Sequence, residues 1–292
     1  MQVTKLADVK HRARRVAVGE FDGVHLGHRE VIAGSDTVLT FEPHPLAVVR
    51  PQAAPLLLTS LDAKVALIAS LGVSELVVIP FDERFAAQGP SEFIDDVLVG
   101  SLGATHVSVG ENFFFGRGAA GASELLASDT RFRTRVVRLV EVDGEVVSSS
   151  HIRALVGAGD VEHAARFLGA PFRLAGDVVH GDRRGRELGF PTANIVPDER
   201  YVRPGNGIYA ARANGACAAV SIGVRPTFKA DRAVLVEAYL LDRDEDLYGR
   251  TLRIEFISRL RGERRFDTVA ELIEQMALDV ARTRELCASV PC

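Results

Sequence analysis

The apolar periodicity of this 292-residue chain changes once, and that change divides it. Up to about Gly169, short β-branched runs alternate with segments that repeat at helical spacing. "RVAVGEF", "TVLTF", "ELVVIPF" and "THVSVG" read as strands. Between them, "LDAKVALIASLG" and "PSEFIDDVLVGSLG" read as helices, each with a terminal glycine suited to a C-cap. Such alternation predicts a parallel sheet covered on both faces, with ligands at the carboxyl ends of its strands. "SSSHIRALVGAGDVEHAARFLGAPF" then reads as two short helices broken at "GAGD". From Arg173 the period becomes two, in "RLAGDVVHG", "GIYAARANG", "CAAVSIG", "VLVEAYLLD" and "TLRIEFISRL". Short strands separated by turn residues predict an antiparallel barrel or sandwich, closed here by a helix from about Val269 to Leu286. The expected domains are residues 1–169 and 170–292.

Composition narrows the function classes. Hydrophobic content of 47% and charged content of 25% suit a soluble globular chain, and a net charge of −4 supplies no field for nucleic acid or a membrane surface. The basic run "KHRARR", Lys10 to Arg15, reads as a solvated turn. No apolar run reaches the roughly 18 residues of a membrane helix, and no signal peptide is visible. Three cysteines, Cys217, Cys287 and Cys292, form no CxxC pair, so neither a zinc site nor a disulfide framework is indicated. A cytoplasmic protein is expected, as a monomer or weak homo-oligomer.

The first chemical motif is "GEFDGVHLGH", Gly19 to His28, placed after a strand and before a helix start. Gly23 and Gly27 let backbone approach an anion closely, and unpaired N–H groups at a helix start favour phosphate. His25 and His28, three apart, can reach one ligand and neutralise charge growing on phosphorus. The same pair also fits a metal or two surface histidines. In "VSSSHIR", Val147 to Arg153, serines can cap a helix and an arginine one turn on can pair with phosphate oxygens.

Together "HLGH" and "VSSSHIR" resemble the HxGH and ISSTxxR signatures of the nucleotidylyltransferase superfamily. "TFEPHP", "PFDERFAAQGPSEFI" and "GENFFFGRGAAG" resemble further segments of one branch, the FAD synthetase module of bacterial bifunctional riboflavin kinase/FAD synthetases. The resemblance implies a Rossmann-like domain in which Gly19, Phe21, Asp22, His25, His28, Ser149 and Arg153 serve ATP, His28 catalytically. It implies that Asn112, Phe113 and Phe115 line the flavin or nucleotide cleft. FMN phosphate would attack the α-phosphorus of ATP and release pyrophosphate, by alignment and charge neutralisation with Mg²⁺. Two departures carry expectations. Only Arg29 to Thr37 separate His28 from the strand near Val38, where a crossover usually takes roughly 10–12 residues, so the phosphate-facing turn should lose support. Glu20 places an acid beside the phosphates.

The second half lacks a Walker sequence. "GDRRGRELGFPTANI", Gly181 to Ile195, offers a glycine- and arginine-rich flap followed by "PTAN". Thr192 and Asn194 share a face of an extended strand, and their oxygens suit Mg²⁺ held with ATP phosphates. Glu237, amid apolar neighbours in "VEAYLLD", is a candidate base or a plain solvent-facing strand glutamate. "GRELGFPTANI", "PGNGIYAA", "SIGVRPTF", "VEAYLLD", "DLYGRTLRIEF" and "LRGERRFDT" run in the order of riboflavin kinase, a six-stranded barrel with a C-terminal helix. That resemblance implies metal and phosphate contacts at Thr192 and Asn194, with Gly185 in the ATP loop. It also implies that Glu237 is the base for the ribityl hydroxyl and that Arg261 and Phe266 face flavin. Tyr239 stands where the family often has histidine.

Two further matches point elsewhere. "GRGAAG", Gly116 to Gly121, fits GxGxxG with Glu141 twenty residues on, but follows no first strand. "DRDEDLYG" lacks the glycine and glutamate of a calcium loop. The expected function is ATP-dependent phosphorylation of riboflavin to FMN and adenylylation of FMN to FAD. The alternatives are a kinase alone and a flavin-binding module without turnover.

Overall fold

The computed structural model describes residues 1–180, 188–224, 234–243 and 246–289. The chain forms two compact units, Met1–Ser149 and Ser150–Cys292. The two expected helices around "GAGD" therefore both fall in the second unit.

The first unit is built on a six-stranded parallel sheet in the order β1-β4-β3-β2-β5-β8. Its strands are β1 (Gln2–Lys5), β2 (Arg14–Val18), β3 (Thr37–Glu42), β4 (Glu75–Pro80), β5 (Ala104–Gly110) and β8 (Arg133–Val137). The chain steps outward from β2 through β3 to β4, then returns to place β5 on the other side of β2. That reversal puts a crevice at the carboxyl ends of β2 and β5, where open parallel sheets take ligands. The short ribbon β6 (Phe114–Phe115) and β7 (Gly121–Ala122) follows β5, and the hairpin β9 (Glu141–Val142) and β10 (Glu145–Val146) follows β8.

Alternate residues of each central strand feed two cores, so the runs look continuously apolar. Ala17, Val38, Leu76 and Val78 pack with α1 (Leu26–Ile32) and α3 (Leu61–Ser70) through Val31, Ile32 and Ile68. Val16, Val18, Leu39 and Val77 pack on the opposite face against Phe93, Val97 and Leu98. Those last residues belong to a helix that opens at α5 (Pro90–Glu92) and continues as a π-helical stretch, Phe93–Ser101. Gly103 ends it with φ +60°, and a Cβ there would stand 2.5 Å from the Arg12 carbonyl oxygen. Short helices α2 (Pro45–Val49), α4 (Glu83–Ala86) and α6 (Ser123–Ser128) line the loops.

The basic run is not wholly solvated. Arg14 is 2% exposed, donates to Glu75 at 2.9 Å and to the Leu102 carbonyl at 2.8 Å, and ties the starts of β2 and β4 together. A guanidinium can be buried because a carboxylate and carbonyls satisfy it. Hydrogen bonding from Arg14 holds the Glu75 carboxyl below its ordinary range.

The short crossover also differs from expectation. Residues 19–36 all bridge β2 to its parallel neighbour β3, so the loop before α1 supplies the missing length. Two turns of helix suffice because Val31 and Ile32 are buried and the Ser108 hydroxyl on β5 donates to the Val31 carbonyl at 2.7 Å.

The second unit opens with α7 (Ser149–Ala158) and α8 (Val161–Leu168), broken at Gly159 with φ +84°. A closed antiparallel barrel follows, in the order β11-β12-β15-β14-β13-β16. Its strands are β11 (Phe172–Val179), β12 (Ala193–Pro197), β13 (Gly207–Ala213), β14 (Ala216–Val224), β15 (Val234–Leu240) and β16 (Thr251–Arg261). Small residues such as Ala211, Ala213, Ala218 and Ala238 make room inside for Tyr209 and Phe256. The terminal helix α9 (Val269–Ser289) packs on β13, β14 and β16 through a polar stripe of Asp279, Thr283 and Cys287. Asp279 receives the Arg261 guanidinium at 2.7 Å.

Candidate active sites

In the first unit the segment after β2 is tightly wound. Phe21 (φ +51°), Gly23 (φ +87°) and Val24 (φ +41°) all take left-handed backbone, uncommon for phenylalanine and rarer for a β-branched residue. Strain of this kind persists only where neighbours over-determine it. Here Asp22 does much of that. Buried at 3% exposure, its carboxylate accepts from the N–H groups of Leu58 at 2.9 Å and Thr59 at 3.1 Å and from the Thr59 hydroxyl at 3.2 Å. Thr40 of β3 donates to the Glu20 carbonyl at 3.1 Å, and Ser149 to the Asp22 carbonyl at 2.9 Å. Sequence reasoning placed Asp22 and Ser149 on phosphate. The structure has both holding the loop, with Thr40 and Thr59, which motif reading missed because hydroxyls facing a loop leave no periodic trace.

His25 caps α1, its Nδ1 accepting the His28 N–H at 3.2 Å. A neutral imidazole accepting at Nδ1 carries its proton on Nε2, leaving that edge to donate elsewhere. The rings of His25 and His28 stack with centroids 3.5 Å apart, and Phe21 meets His28 edge-on at 5.3 Å. Gly27 allows this because a Cβ there would press on the His25 ring at 3.3 Å. Gly19 has similar work, since a Cβ would meet the Phe21 ring at 3.0 Å. Arg153 lies one turn into α7 and belongs to the second unit.

Glu20 does not act as a standing negative charge. Burial pushes its carboxyl up to about 8, with Asp22 and Glu42 adding to the rise and Lys64 opposing it. At neutral pH the acid is therefore mostly protonated, and its expected conflict with phosphate is largely absent.

On the other face of the sheet lies a cavity of about 460 Å³ lined by Pro45, Leu46, Val49, Phe81, Phe85 and Phe93, with Arg50 and Arg117 also on its wall. Its lining comes from the segments of "TFEPHP", "PFDERFAAQGPSEFI" and "GENFFFGRGAAG", which the topology brings together. The aromatic wall continues through Phe115, 5.3 Å from Phe93, to Phe113, stacked on Phe115 at 5.6 Å. Asn112 is exposed on the turn beside them. The cavity wall holds Phe81 and Phe85, while Phe113 and Phe115, expected at the cleft, stand next to it in the same aromatic cluster.

In the barrel the ladder itself builds the arrangement. Asn194 of β12 is the register partner of Glu237 on β15, and Glu237 is also the partner of Ser221 on β14. Residues directly opposite in a ladder share a face, so amide, carboxylate and hydroxyl form one row. Neighbouring positions Ala193, Ala238 and Val220 form the next row, of which Ala238 and Val220 are fully buried in the interior. Asn194 is 6% exposed, and its Oδ1 has no hydrogen-bond partner among the described residues. A buried carbonyl left without a donor is costly unless a ligand completes it. Thr192, two residues earlier, is half-buried just before the strand begins. Phe190 packs edge-on against Tyr239 at 5.4 Å. Gly185 lies outside the described residues.

Arg261 and Phe266 meet below the end of β16. The Arg261 guanidinium stands 5.7 Å over the Phe266 ring and Arg264 stands 5.3 Å from it. With Asp279 clamping Arg261, the arginine acts on the ring rather than outward.

Family models place an FAD synthetase domain at residues 8–151 and a riboflavin kinase domain at 168–287. The bifunctional riboflavin kinase/FMN adenylyltransferase of Bacillus subtilis is 38% identical over 287 residues, covering 90% of this chain and 89% of its own. This chain belongs to that family. The Escherichia coli K12 member of the bifunctional riboflavin kinase/FMN adenylyltransferases is 37% identical, with 92% of this chain and 91% of its own covered. Among solved structures, a macrolide-efflux protein from Streptococcus pneumoniae superposes with a TM-score of 0.89 at 28% identity, over 97% of this chain and 99% of that one. Among the described residues no helix is long and apolar enough to cross a membrane. As a bifunctional riboflavin kinase/FMN adenylyltransferase, the chain uses ATP twice, first to make FMN and then FAD. The reading as a kinase alone is not favoured.

Proposed function

We propose that the two activities run on separate nucleotide cradles, the kinase on Thr192, Asn194 and Glu237 and the adenylyltransferase on His25 and His28. One observation carries the kinase assignment: a buried amide oxygen without a described partner stands directly across the ladder from a half-buried carboxylate. Asn194 Oδ1 and the Thr192 hydroxyl are neutral hard oxygens of the kind Mg²⁺ takes when phosphates fill its other positions. Among the described residues no cluster of three His, Cys, Asp or Glu offers a competing metal site. Bound with ATP, Mg²⁺ supplies charge neutralisation on the transferring phosphoryl group. Glu237 takes the proton of the ribityl 5′-hydroxyl as its oxygen attacks the γ-phosphorus. Gly185 keeps the ATP role that the family motif gives it, and Arg261 holds Phe266 against the flavin.

For adenylyl transfer, the His25 and His28 imidazoles donate to the triphosphate, and Arg153 is a further phosphate contact by the family's motif. Asp22 fixes the loop that aims them. The isoalloxazine of FMN occupies the aromatic cavity between α2 and α4, with Asn112, Phe113 and Phe115 on its flank. Mostly apolar concave walls with few polar groups suit such a ring. The working division between the modules lies near Gly169, at the start of the second matched stretch.

Incubation of the purified chain with riboflavin, ATP and Mg²⁺, followed by chromatography, tests the assignment. Asn194→Ala should stop FMN formation from riboflavin while still converting supplied FMN to FAD. His28→Ala should do the reverse. Retention of kinase activity by Asn194→Ala sinks the proposal for the barrel.

A further inference from the structure

A pair of thiols that neither reaction uses joins the barrel wall to the end of α9. Cys217 is the second residue of β14, in register with Arg212 of β13. Cys287, 4% exposed, closes the polar stripe of α9 two turns beyond Asp279. Arg212, the register partner of Cys217, and Ala211 beside it both bond to Cys287, which places the two cysteines next to each other on the seam between wall and helix. Cys287 Sγ also approaches the Ala211 carbonyl at 3.6 Å, while Arg212 donates to the Cys287 carbonyl at 2.8 Å. Helix and wall are thus fixed at this point from both sides of the sulfur pair.

The two thiols differ in reactivity. Burial and the bond from Cys217 push Cys287 up to about 12, so it keeps its proton. Cys217 is half-buried, and the Arg284 guanidinium lies within electrostatic range of it. Asp242 holds that guanidinium at 2.5 and 3.1 Å. A partly exposed thiol is where oxidation starts, and a neighbouring thiol converts its product into a disulfide.

We propose that Cys217 and Cys287 are a redox modification site whose disulfide staples α9 to the barrel. With a hydroperoxide as oxidant, Cys217 sulfur attacks the terminal oxygen, the O–O bond breaks, and hydrogen peroxide leaves one water and a sulfenic acid. Cys287 then attacks that sulfur, the S–O bond breaks, and a second water departs with the thiol proton. Two thiols have supplied two electrons and one peroxide has become two waters. The staple fixes the helix whose Asp279 holds Arg261 over Phe266, so it acts on the flavin side of the kinase. The crosslink itself does not depend on the assignment of that side.

The experiment uses the full chain carrying Cys292→Ser, since Cys292 lies outside the described residues. Hydrogen peroxide treatment should lower the intact mass by about 2 Da, for two hydrogens, and block iodoacetamide uptake at both cysteines until dithiothreitol is added. A non-reducing peptide map should show Cys217 linked to Cys287, and the melting temperature should rise only in the oxidised form. Adding Cys217→Ser should remove the mass loss and the thermal shift together, and adding Cys287→Ser should leave a dimedone-trappable sulfenic acid at Cys217. Sulfinic acid accumulating at Cys217 with Cys287 still alkylated, or two free thiols after peroxide, overturns the proposal.

Discussion

In the α/β unit the residues gathered at the proposed nucleotide crevice come from loops, and hydrogen bonds to three separate segments hold them. In the barrel they come from facing strands, and the ladder alone sets them side by side. Asp22, Thr40, Thr59 and Ser149 all serve to keep Gly19 to His25 in a strained path. Asn194, Glu237 and Ser221 need no such scaffold, because register fixes their spacing. A loop-built site should therefore fail by losing its supports, and a ladder-built site only by losing its own functional groups.

The largest contrast should come from Glu237→Gln, which keeps the row but removes the proposed base. Kinase turnover should fall on the order of 10²–10⁴-fold with melting unchanged, measured as FMN formed from riboflavin. Asp22→Ala tests the other half, since it strips the acceptor from three donors without touching substrate in the proposed geometry. FAD formation from FMN should fall by about 10²-fold, with a loss of about 1–3 kcal/mol in stability by denaturant titration. Kinase activity should persist. Equal loss of both activities would erase the contrast.

A smaller effect should follow Phe85→Ala in the aromatic cavity. The KM for FMN in adenylyl transfer should rise roughly tenfold, while the KM for riboflavin in the kinase step stays level. Smaller still is the pH effect of Glu20. Its folded value of about 8 lies above the ordinary carboxylate range, so its stabilisation is full below that range and is lost as pH rises through 8. Glu20→Gln should flatten the fall of stability across that window and keep adenylyl transfer from declining above pH 8, read as a pH–rate profile. Glu141→Gln should change neither activity, because β9 places it on an exposed hairpin rather than at a nucleotide turn.

Much of the fold was legible because periodicity reports burial directly. The runs at Val38, Leu76 and Val107 became central parallel strands, and the period-two runs from Arg173 closed into the barrel. Edge strands were less visible. Gln2–Lys5 is largely exposed and polar, and Arg133–Val137 carries two arginines, so neither shows an apolar signature. The buried Arg14 was misread because a charge run looks the same whether solvated or paired with a distant glutamate. Short motifs show as motifs in the sequence, while the contacts of Thr40, Thr59, Phe81 and Phe85 depend on tertiary approach. The crossover length misled because it was counted from His28, although the strained loop before α1 spans part of the gap.

The cross-strand row has a consequence for how this chain can change. Turn lengths at the barrel ends can drift without altering the separation of Asn194 from Glu237. A single-residue deletion inside Val234–Leu240 would instead turn Glu237 toward the barrel interior and Ala238 toward the proposed ATP cradle. The kinase half is thus tolerant of insertion between its strands and intolerant of slippage within them.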